Sequence, residues 1–544
     1  MRYGVLLAAL LVATAAPLTS PIQFEEIAAK AGIVFSANGS PTPEKHQPEV
    51  MVGGVATFDY DGDGYPDIYL VNGATMPGLV KEGEGFKNRL FHNNHNLTFT
   101  DVTDKAGLAG AGYGMGVAIG DYDNDGKPDV FVANVNGNQL FHNNGDGTFS
   151  DVTAKAGVAG TMWSVGGTWL DYNNDGLLDL FVSNYCQWDP RTEPPCVING
   201  HRVSCSPRSY KPLPNTLYRN NGDGTFTDVS VDTGIAAHVG RNMGAAIADY
   251  DGDGFIDIFV ANDDMPNLLF HNIGGKRFEE VAMDAGVALP EGGAAISGMG
   301  TDFRDVFNHG LPDIWLTAIE KQTFPLYRNL GKGQFEEATS STGLGLPTAG
   351  MSGWSNAIVD LDNDGWKDLF VSRSNVIDNV ALFAPRQYEE PNAIFRNLGN
   401  GKFQNVSAQA GADFQVAAVH RGAAFGDLDN DGRVDAVVSV LNGPVKVFHN
   451  VTRNSNHWLM LQLTGTKSNR MGIGARIKIT GSDGLVQYNE VTTSVGYASS
   501  SDVRVHFGLG SAKTAKEIEI LWPSGVRQVL KDAAGDQVLQ VTEH

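Results

Sequence analysis

The sequence is short of cysteine and of positive charge, and each shortage narrows what the chain can be. Cys186, Cys196 and Cys205 are its only cysteines, so a disulfide-built scaffold is excluded and the fold must rest on a hydrophobic core. None of them forms a Cys-x-x-Cys, which leaves structural zinc and covalent haem without a ligand pattern. Three cysteines permit three pairings with one thiol left over, and sequence does not choose among them. Lys and Arg number 39 against 62 Asp and Glu, a formal charge of −23. Nucleic acid and anionic membranes would both repel such a surface. Beyond the N-terminus no apolar run approaches the roughly 20 residues a membrane-spanning helix needs. His-Glu-x-x-His, Gly-x-Ser-x-Gly, phosphate-loop and dinucleotide fingerprints are also missing, so the expectation is a protein that is not an enzyme.

What is present begins with a secretory pattern. Arg2 precedes an apolar run, Val5–Ala16, and Ala13-Thr14-Ala15 supplies a small-x-small cleavage signal. Residues 1–20 read as a signal peptide, and the chain as secreted, to the extracellular space or a periplasm. No cysteine follows the run to carry a lipid. Glycine, at 66 residues, points to many tight turns between short strands.

The acids are clustered in a repeat. Asp-x-Asp-x-Asp-Gly-x-x-Asp occurs as DYDGDGYPD from Asp59, DYDNDGKPD from Asp121, DYDGDGFID from Asp249, DLDNDGWKD from Asp360 and DLDNDGRVD from Asp427. DYNNDGLLD from Asp171 differs only in Asn173. A seventh copy from Asp305, DVFNHGLPD, carries Phe307 and His309 where carboxylates belong. Each copy is followed by a strand of the type LFHN or LYRN, beginning at Leu90, Leu140, Leu217, Leu269, Leu326, Ile394 and Val447. After six of these comes a turn and an aromatic-led strand such as GTFSDVTAKAG. The seventh lacks that partner, while FEEIAAKAGI at Phe24–Ile33 matches the element and has no repeat before it. One orphan at each end predicts a seven-bladed β-propeller closed by the N-terminal strand.

Three alternating carboxylates bring hard oxygen ligands to one point, and the glycine at position six permits the sharp turn around an ion. The EF-hand's twelfth-position glutamate is absent, and apolar β-branched runs such as DVFVAN follow, so each loop caps a hairpin. The expected Ca2+ ligands are Asp59, Asp61, Asp63 and Asp67 in the first repeat and Asp121, Asp123, Asp125 and Asp129 in the second. Asp171, Asn173, Asp175 and Asp179 form the third set, and Asp249, Asp251, Asp253 and Asp257 the fourth. Asp360, Asp362, Asp364 and Asp368 serve the sixth repeat, and Asp427, Asp429, Asp431 and Asp435 the seventh. Four carboxylates within nine residues repel one another unless a cation sits among them. About six calcium ions would bring the charge from −23 to −11. The Asp305 loop is expected to bind poorly or not at all. The repeated histidines His92, His142, His271 and His449 read as structural, because they recur blade by blade.

These motifs resemble the FG-GAP/VCBS propeller repeats found in integrin α-chains. NHWLMLQLTGTKSNRMGIGARIKI (456–479), GYASSSDVRVHFGLG (496–510) and IEILWPSGV (518–526) resemble the ASPIC/UnbV domain. The combination is similar to the cartilage acidic protein family. The resemblance implies extracellular calcium binding and an adhesion or matrix-type role without any reaction. It also implies a disulfide between Cys196 and Cys205, leaving Cys186 free.

The resulting division is a signal at 1–20, a propeller at 21–454 and a small β-sandwich-like domain at 455–544. In up-and-down blades the metal loops share one face, so the longest connections, 72–89, 184–216 and 373–393, fall on the other. Loops on a rigid scaffold carry recognition. An extracellular protein or glycan is therefore expected to bind that opposite face, chiefly through 184–216, with Trp188 and Tyr210 as candidate aromatic contacts, or else, for a tryptophan in so long a loop, as an anchor to the blade. The alternative is a carbohydrate-binding protein or polysaccharide-active enzyme using the same face. In the C-terminal part, strands are expected at His457–Leu463, Ala475–Thr480, Val503–Gly508, Glu517–Trp522 and Gln537–Val541, with Arg470 as a polar contact and Tyr497 as a loop anchor.

Overall fold

A computed structural model describes residues 22–544; the expected signal peptide lies outside the described residues. The architecture is all-β, with helices limited to single turns such as Thr103–Ala106. Every acidic repeat contributes two antiparallel strands flanking its loop, and in the first six two more follow in simple up-and-down order. In the second repeat these are Gly114–Gly120, Asp129–Asn134, Gln139–Asn143 and Phe149–Asp151. The second strand is buried along its whole length, as the unbroken run DVFVAN requires of a strand covered on both faces. The fourth buries its phenylalanine and exposes the two residues after it.

The same four-strand order recurs in the other repeats. In the seventh, His420–Gly426, Asp435–Val440 and Lys446–Asn450 are completed by Phe24–Glu26, paired Phe24 to Asn450 and Glu26 to Phe448. First strands of successive repeats pack side by side, and that of the seventh, His420–Gly426, packs on that of the first, Val55–Phe58. Neighbouring repeats are also latched by the asparagine of each LFHN-type strand. Asn143 Nδ2 donates to Tyr60 O at 2.8 Å and Asn220 Nδ2 to Tyr122 O at 2.7 Å. The series ends with Asn93 Nδ2 donating to Leu428 O, from the first repeat to the seventh, at 2.8 Å.

The C-terminal part forms two sheets. Val505–Gly510, His457–Thr464 and Val538–Thr542 make one, and Val486–Glu490, Arg476–Gly481, Thr514–Leu521 and Arg527–Ala534 the other. Val486–Glu490 and Arg527–Ala534 were not expected from sequence; each pairs antiparallel with the strand before it. Leu461, Ile477, Ile518 and Trp522 belong to a core continuous with Ile256 and Phe181 of the repeats.

The segment between these sheets leaves the domain altogether. Ser494–Val495 and Ser499–Ser500 lie against the first strands of all seven repeats. Ser500 pairs with Ala56, Gly496 with Thr301, and Val117 N donates to Ala498 O at 3.1 Å. Tyr497 is fully buried, its hydroxyl donating to Met51 O at 2.7 Å. The segment satisfies inner-edge backbone groups that no further strand could reach.

Candidate metal centres

Each acidic loop is shaped by its own first and last carboxylates. Asp121 accepts from Asp125 N at 3.1 Å and Gly126 N at 2.8 Å. Asp129 accepts from Tyr122 N at 3.1 Å and from Asn143 N at 2.8 Å. The same arrangement holds Asp171 with Asp179 and Asp427 with Asp435. Five loops are also linked to the next through an asparagine in the left-handed region. Asn124, Asn174, Asn308, Asn363 and Asn430 donate to Gly176 O, Gly254 O, Gly365 O, Gly432 O and Gly64 O at 2.8–3.0 Å.

The middle carboxylates converge on the edge residue of the third strand. Ligand atoms of Asp61, Asp63 and His92 lie within 4.8 Å of one another, as do those of Asp123, Asp125 and His142, and of Asp251, Asp253 and His271. Asn173 donates to Asp175 Oδ2 at 2.8 Å in the third loop.

The charge density of these loops raises their carboxyl pKa values. Burial, with the neighbouring carboxylates adding to it, pushes Asp67 up to about 9, Asp121 and Asp171 to about 7 and Asp427 to about 8. Asp257 rises to about 7 for the same reason, although His271 opposes it. A cation among the oxygens would reverse every one of these shifts.

The sixth loop is the most enclosed. Asp360, Asp362 and Asp368 are buried, and Oδ1 of Asp360 and of Asp362 is buried without a hydrogen-bond partner among the described residues. Asp429 Oδ1 in the seventh loop is in the same state. Arg396 meets part of the sixth loop's charge, its Nε 2.7 Å from Asp362 Oδ2 and its Nη2 2.9 Å from Asp364 Oδ2. Asn454 and Asn456 donate to Asp362 O at 2.6 and 2.8 Å, sealing the loop from the C-terminal side. Hard oxygens left buried and unpaired fit a hard cation such as Ca2+.

The fifth loop has a cation built in. His309 Nδ1 stands 3.2 Å from Asp305 Oδ1 and Nε2 3.3 Å from Asp313 Oδ1. Burial opposes its protonation, but the two flanking carboxylates outweigh it and lift the imidazole to about 10. Lys367 Nζ adds a bond to Asp305 O at 2.9 Å. His309→Ala is expected to destabilise the fold by about 3 kcal/mol, the cost of breaking a buried pair. Urea unfolding should show the same loss with and without calcium; a loss seen only in calcium would assign the loop to metal after all.

The C-terminal domain sits on the face that carries these loops, which sequence did not foresee. Arg470 N donates to Asn124 Oδ1 at 2.7 Å, Arg476 Nη1 lies 3.2 Å from Asp249 Oδ2, and Arg504 Nη2 donates to Asp427 O at 3.1 Å. On the opposite face, segment 184–216 is joined to neighbouring loops. Arg202 Nε donates to Glu44 O at 2.7 Å and Asn379 Nδ2 to Arg202 O at 2.9 Å. Cys196 and Cys205 form a disulfide within it, and Cys186 is free and buried. Trp188 and Tyr210 are a correction to the sequence reading: both are buried. Trp188 packs on Trp163 and His46, and Tyr210 bonds Glu193, so they anchor the loop and present no ring to a partner.

Comparison with known proteins agrees with the repeat pattern. The FG-GAP-like repeat profile matches residues 59–132, 121–182, 203–260, 249–314, 305–371 and 378–438, and the ASPIC and UnbV profile matches 465–544. Cartilage acidic protein 1 of Homo sapiens is 24% identical over 324 residues, covering 58% of this chain and 46% of that protein. Its Mus musculus counterpart is 25% identical over 325 residues, covering 58% and 47%. The chain thus spans about half the length of these curated relatives. Among solved structures, an Agrocybe aegerita lectin that recognises terminal N-acetylglucosamine is 16% identical at a TM-score of 0.41, covering 72% of this chain and 87% of that one. The six-bladed Aleuria aurantia lectin is 10% identical at a TM-score of 0.31, covering 65% and 94%.

Proposed function

The chain belongs to the FG-GAP-like repeat family and ends in an ASPIC and UnbV domain, and from that membership we propose an exported, calcium-loaded interaction module built on a closed seven-bladed propeller. The observation that carries the calcium reading is the set of buried, unpartnered carboxylate oxygens of Asp360, Asp362 and Asp429. Each belongs to a loop that carries three further carboxylates, at Asp364 and Asp368 with the other of the Asp360 and Asp362 pair in the sixth, and at Asp427, Asp431 and Asp435 in the seventh. The ions would neutralise the loops and stiffen the hairpins they cap. Pairing of Phe24–Glu26 with Lys446–Asn450 supports ring closure.

Recognition then falls to the face opposite the loops, because the C-terminal domain covers much of the metal side. A hollow of about 910 Å³ opens there between the first and seventh repeats, lined by Val34, Phe35, Asn72, Arg89 and Pro444. Its mixed apolar and polar wall suits an extracellular protein or a glycan, and an adhesion or matrix-type role follows.

Calorimetry on EDTA-stripped protein tests the calcium reading. About six ions per chain and a rise in melting temperature of about 10 °C or more are expected, since a ligand bound only by the folded state stabilises it by mass action. No heat of binding and an unchanged melt would reduce the loops to plain turns. A glycan array then separates a saccharide ligand from a protein one.

A further inference from the structure

The first repeat departs from the others at one turn. Between third and fourth strands the second repeat reads His-Asn-Asn-Gly-Asp-Gly-Thr-Phe from His142, whereas the first reads His-Asn-Asn-His-Asn-Leu-Thr-Phe from His92. The position of His95 is held by Gly145, Gly222, Gly274, Gly331 and Gly399 elsewhere, all at positive φ between 61° and 76°. His95 adopts φ 66° in the same place. Histidine enters this region more readily than most side chains, and here it carries an imidazole into a turn that elsewhere has none.

That ring points into the first acidic loop. His95 Nε2 lies 2.6 Å from Asp63 Oδ2, and Tyr65 stacks on the imidazole with ring centroids 4.1 Å apart and planes 13° from parallel. Tyr65 N also donates to Asp63 Oδ1 at 2.9 Å, which fixes the carboxylate that His95 meets. From the other side comes His92, whose Nδ1 is buried without a hydrogen-bond partner among the described residues. It stands 3.4 Å from Asp61 Oδ2 and 3.3 Å from Asp67 Oδ1. His92 thus clusters with Asp61 and Asp63, and His95 meets Asp63 from the neighbouring turn, the two ring centroids 6.4 Å apart.

We propose that Asp61, Asp63, His92 and His95 form a site for a borderline transition-metal ion such as Zn2+, on the first repeat alone. Ligand atoms about 2.0 Å from a tetrahedral zinc lie roughly 3.3 Å from one another. The His92–Asp61 separation of 3.4 Å already has that value, and the His95–Asp63 pair needs only a small opening. Imidazole nitrogen favours zinc over calcium, and the first loop would offer two imidazoles where the second, fourth and seventh offer one. The second loop supplies the internal contrast: it has His142 beside Asp123 and Asp125, but Gly145 where the second imidazole would be. The proposal shares Asp61 and Asp63 with the calcium reading of the first loop and assigns that loop a different ion when zinc is present, so calcium fills it only in zinc-free protein.

The test is calorimetry of Zn2+ into the full chain held in millimolar calcium, with His95→Gly and His142→Gln beside the parent. His95→Gly restores the residue of the sister turns and should fold at least as well. One tight Zn2+ site is expected in the parent and in His142→Gln, weakened about tenfold or more in His95→Gly. Unchanged zinc binding in His95→Gly, or equal weakening in His142→Gln, would overturn the proposal. A parallel calcium titration separates the two readings. Zinc binding that depends on His95 without any calcium binding sinks the calcium reading alone, and calcium binding without a tight zinc step sinks this one alone.

Discussion

Gly496→Ala is expected to prevent the C-terminal domain from docking and to lower the melting temperature by about 10 °C or more, or to leave no folded protein. Gly496 sits at φ 62° in the segment against the inner strands. A Cβ there would lie 2.0 Å from Ser355 Oγ and 2.7 and 2.8 Å from Asn356 O and N. The serine can turn away, but the Asn356 backbone belongs to the first strand of the sixth repeat and cannot. Left-handed geometry costs a non-glycine residue about 1–2 kcal/mol and overpacking about 1–3 more. The larger loss follows if the segment withdraws. Thr301 N and O, Val117 N and Phe425 N and O would then lose their partners at 496–502, each a buried group costing about 1–3 kcal/mol. Tyr497→Phe is the milder companion, removing only the bond to Met51 O. Thermal melts and limited proteolysis read both variants. A segment 21–454 that folded alone with the parent's melting temperature would make residues 494–502 a passenger and sink this account.

The contrast between what could and could not be read from sequence follows from range. The acidic loops are legible because their ligands are spaced within nine residues, where turn geometry fixes what can meet. Fold class is legible for the same reason: runs such as DIFVAN alternate or bury locally, and the repeat multiplies a weak signal. The asparagine of the LFHN-type strands was visible as a letter, but its bond to the preceding repeat's loop spans 98 residues between Asn220 and Tyr122. Nothing local encodes it. Residues 494–502 are a sharper case, since GYASSSD reads as a polar loop and its partners are hundreds of residues away. Val486–Glu490 escaped notice because its buried positions are polar, at Gln487, Asn489 and Glu490, and Arg527–Ala534 because it turns charged residues to solvent; both blur the apolar rhythm of a strand. Trp188 and Tyr210 are ambiguous for another reason. An aromatic in a long loop serves a partner or anchors the loop, and only burial decides for the anchor.

Acidification should stabilise the calcium-free protein and destabilise the calcium-loaded one, so that the two stability curves converge. In the ion-free fold Asp121, Asp171 and Asp257 titrate at about 7 and Asp427 at about 8, against an ordinary value near 4. A carboxyl with a higher pKa in the folded state holds its proton more tightly there. Unfolding free energy therefore rises as pH falls from about 9 to about 5, by about 3 kcal/mol for a carboxyl raised to about 7 and about 4 kcal/mol for one raised to about 8. His142, His271 and His449, raised by the carboxylates they face even though burial opposes this, push in the same direction. Glu543, held down at about 2 by the bonds it accepts from Ser524 and the 466–468 backbone in spite of burial, loses its contribution only below that window. Calcium reverses the sign, because it requires ionised oxygens and drops their pKa values below the ordinary range. Stability of the loaded protein is then present above about pH 5 and falls as protons displace the ions. Melting temperatures recorded from pH 9 to 5, with EDTA and with millimolar calcium, should approach each other at the acid end. An EDTA-treated protein that lost stability steadily over that range would show that the loops carry no buried charge strain, and the electrostatic case for their ions would fall with it.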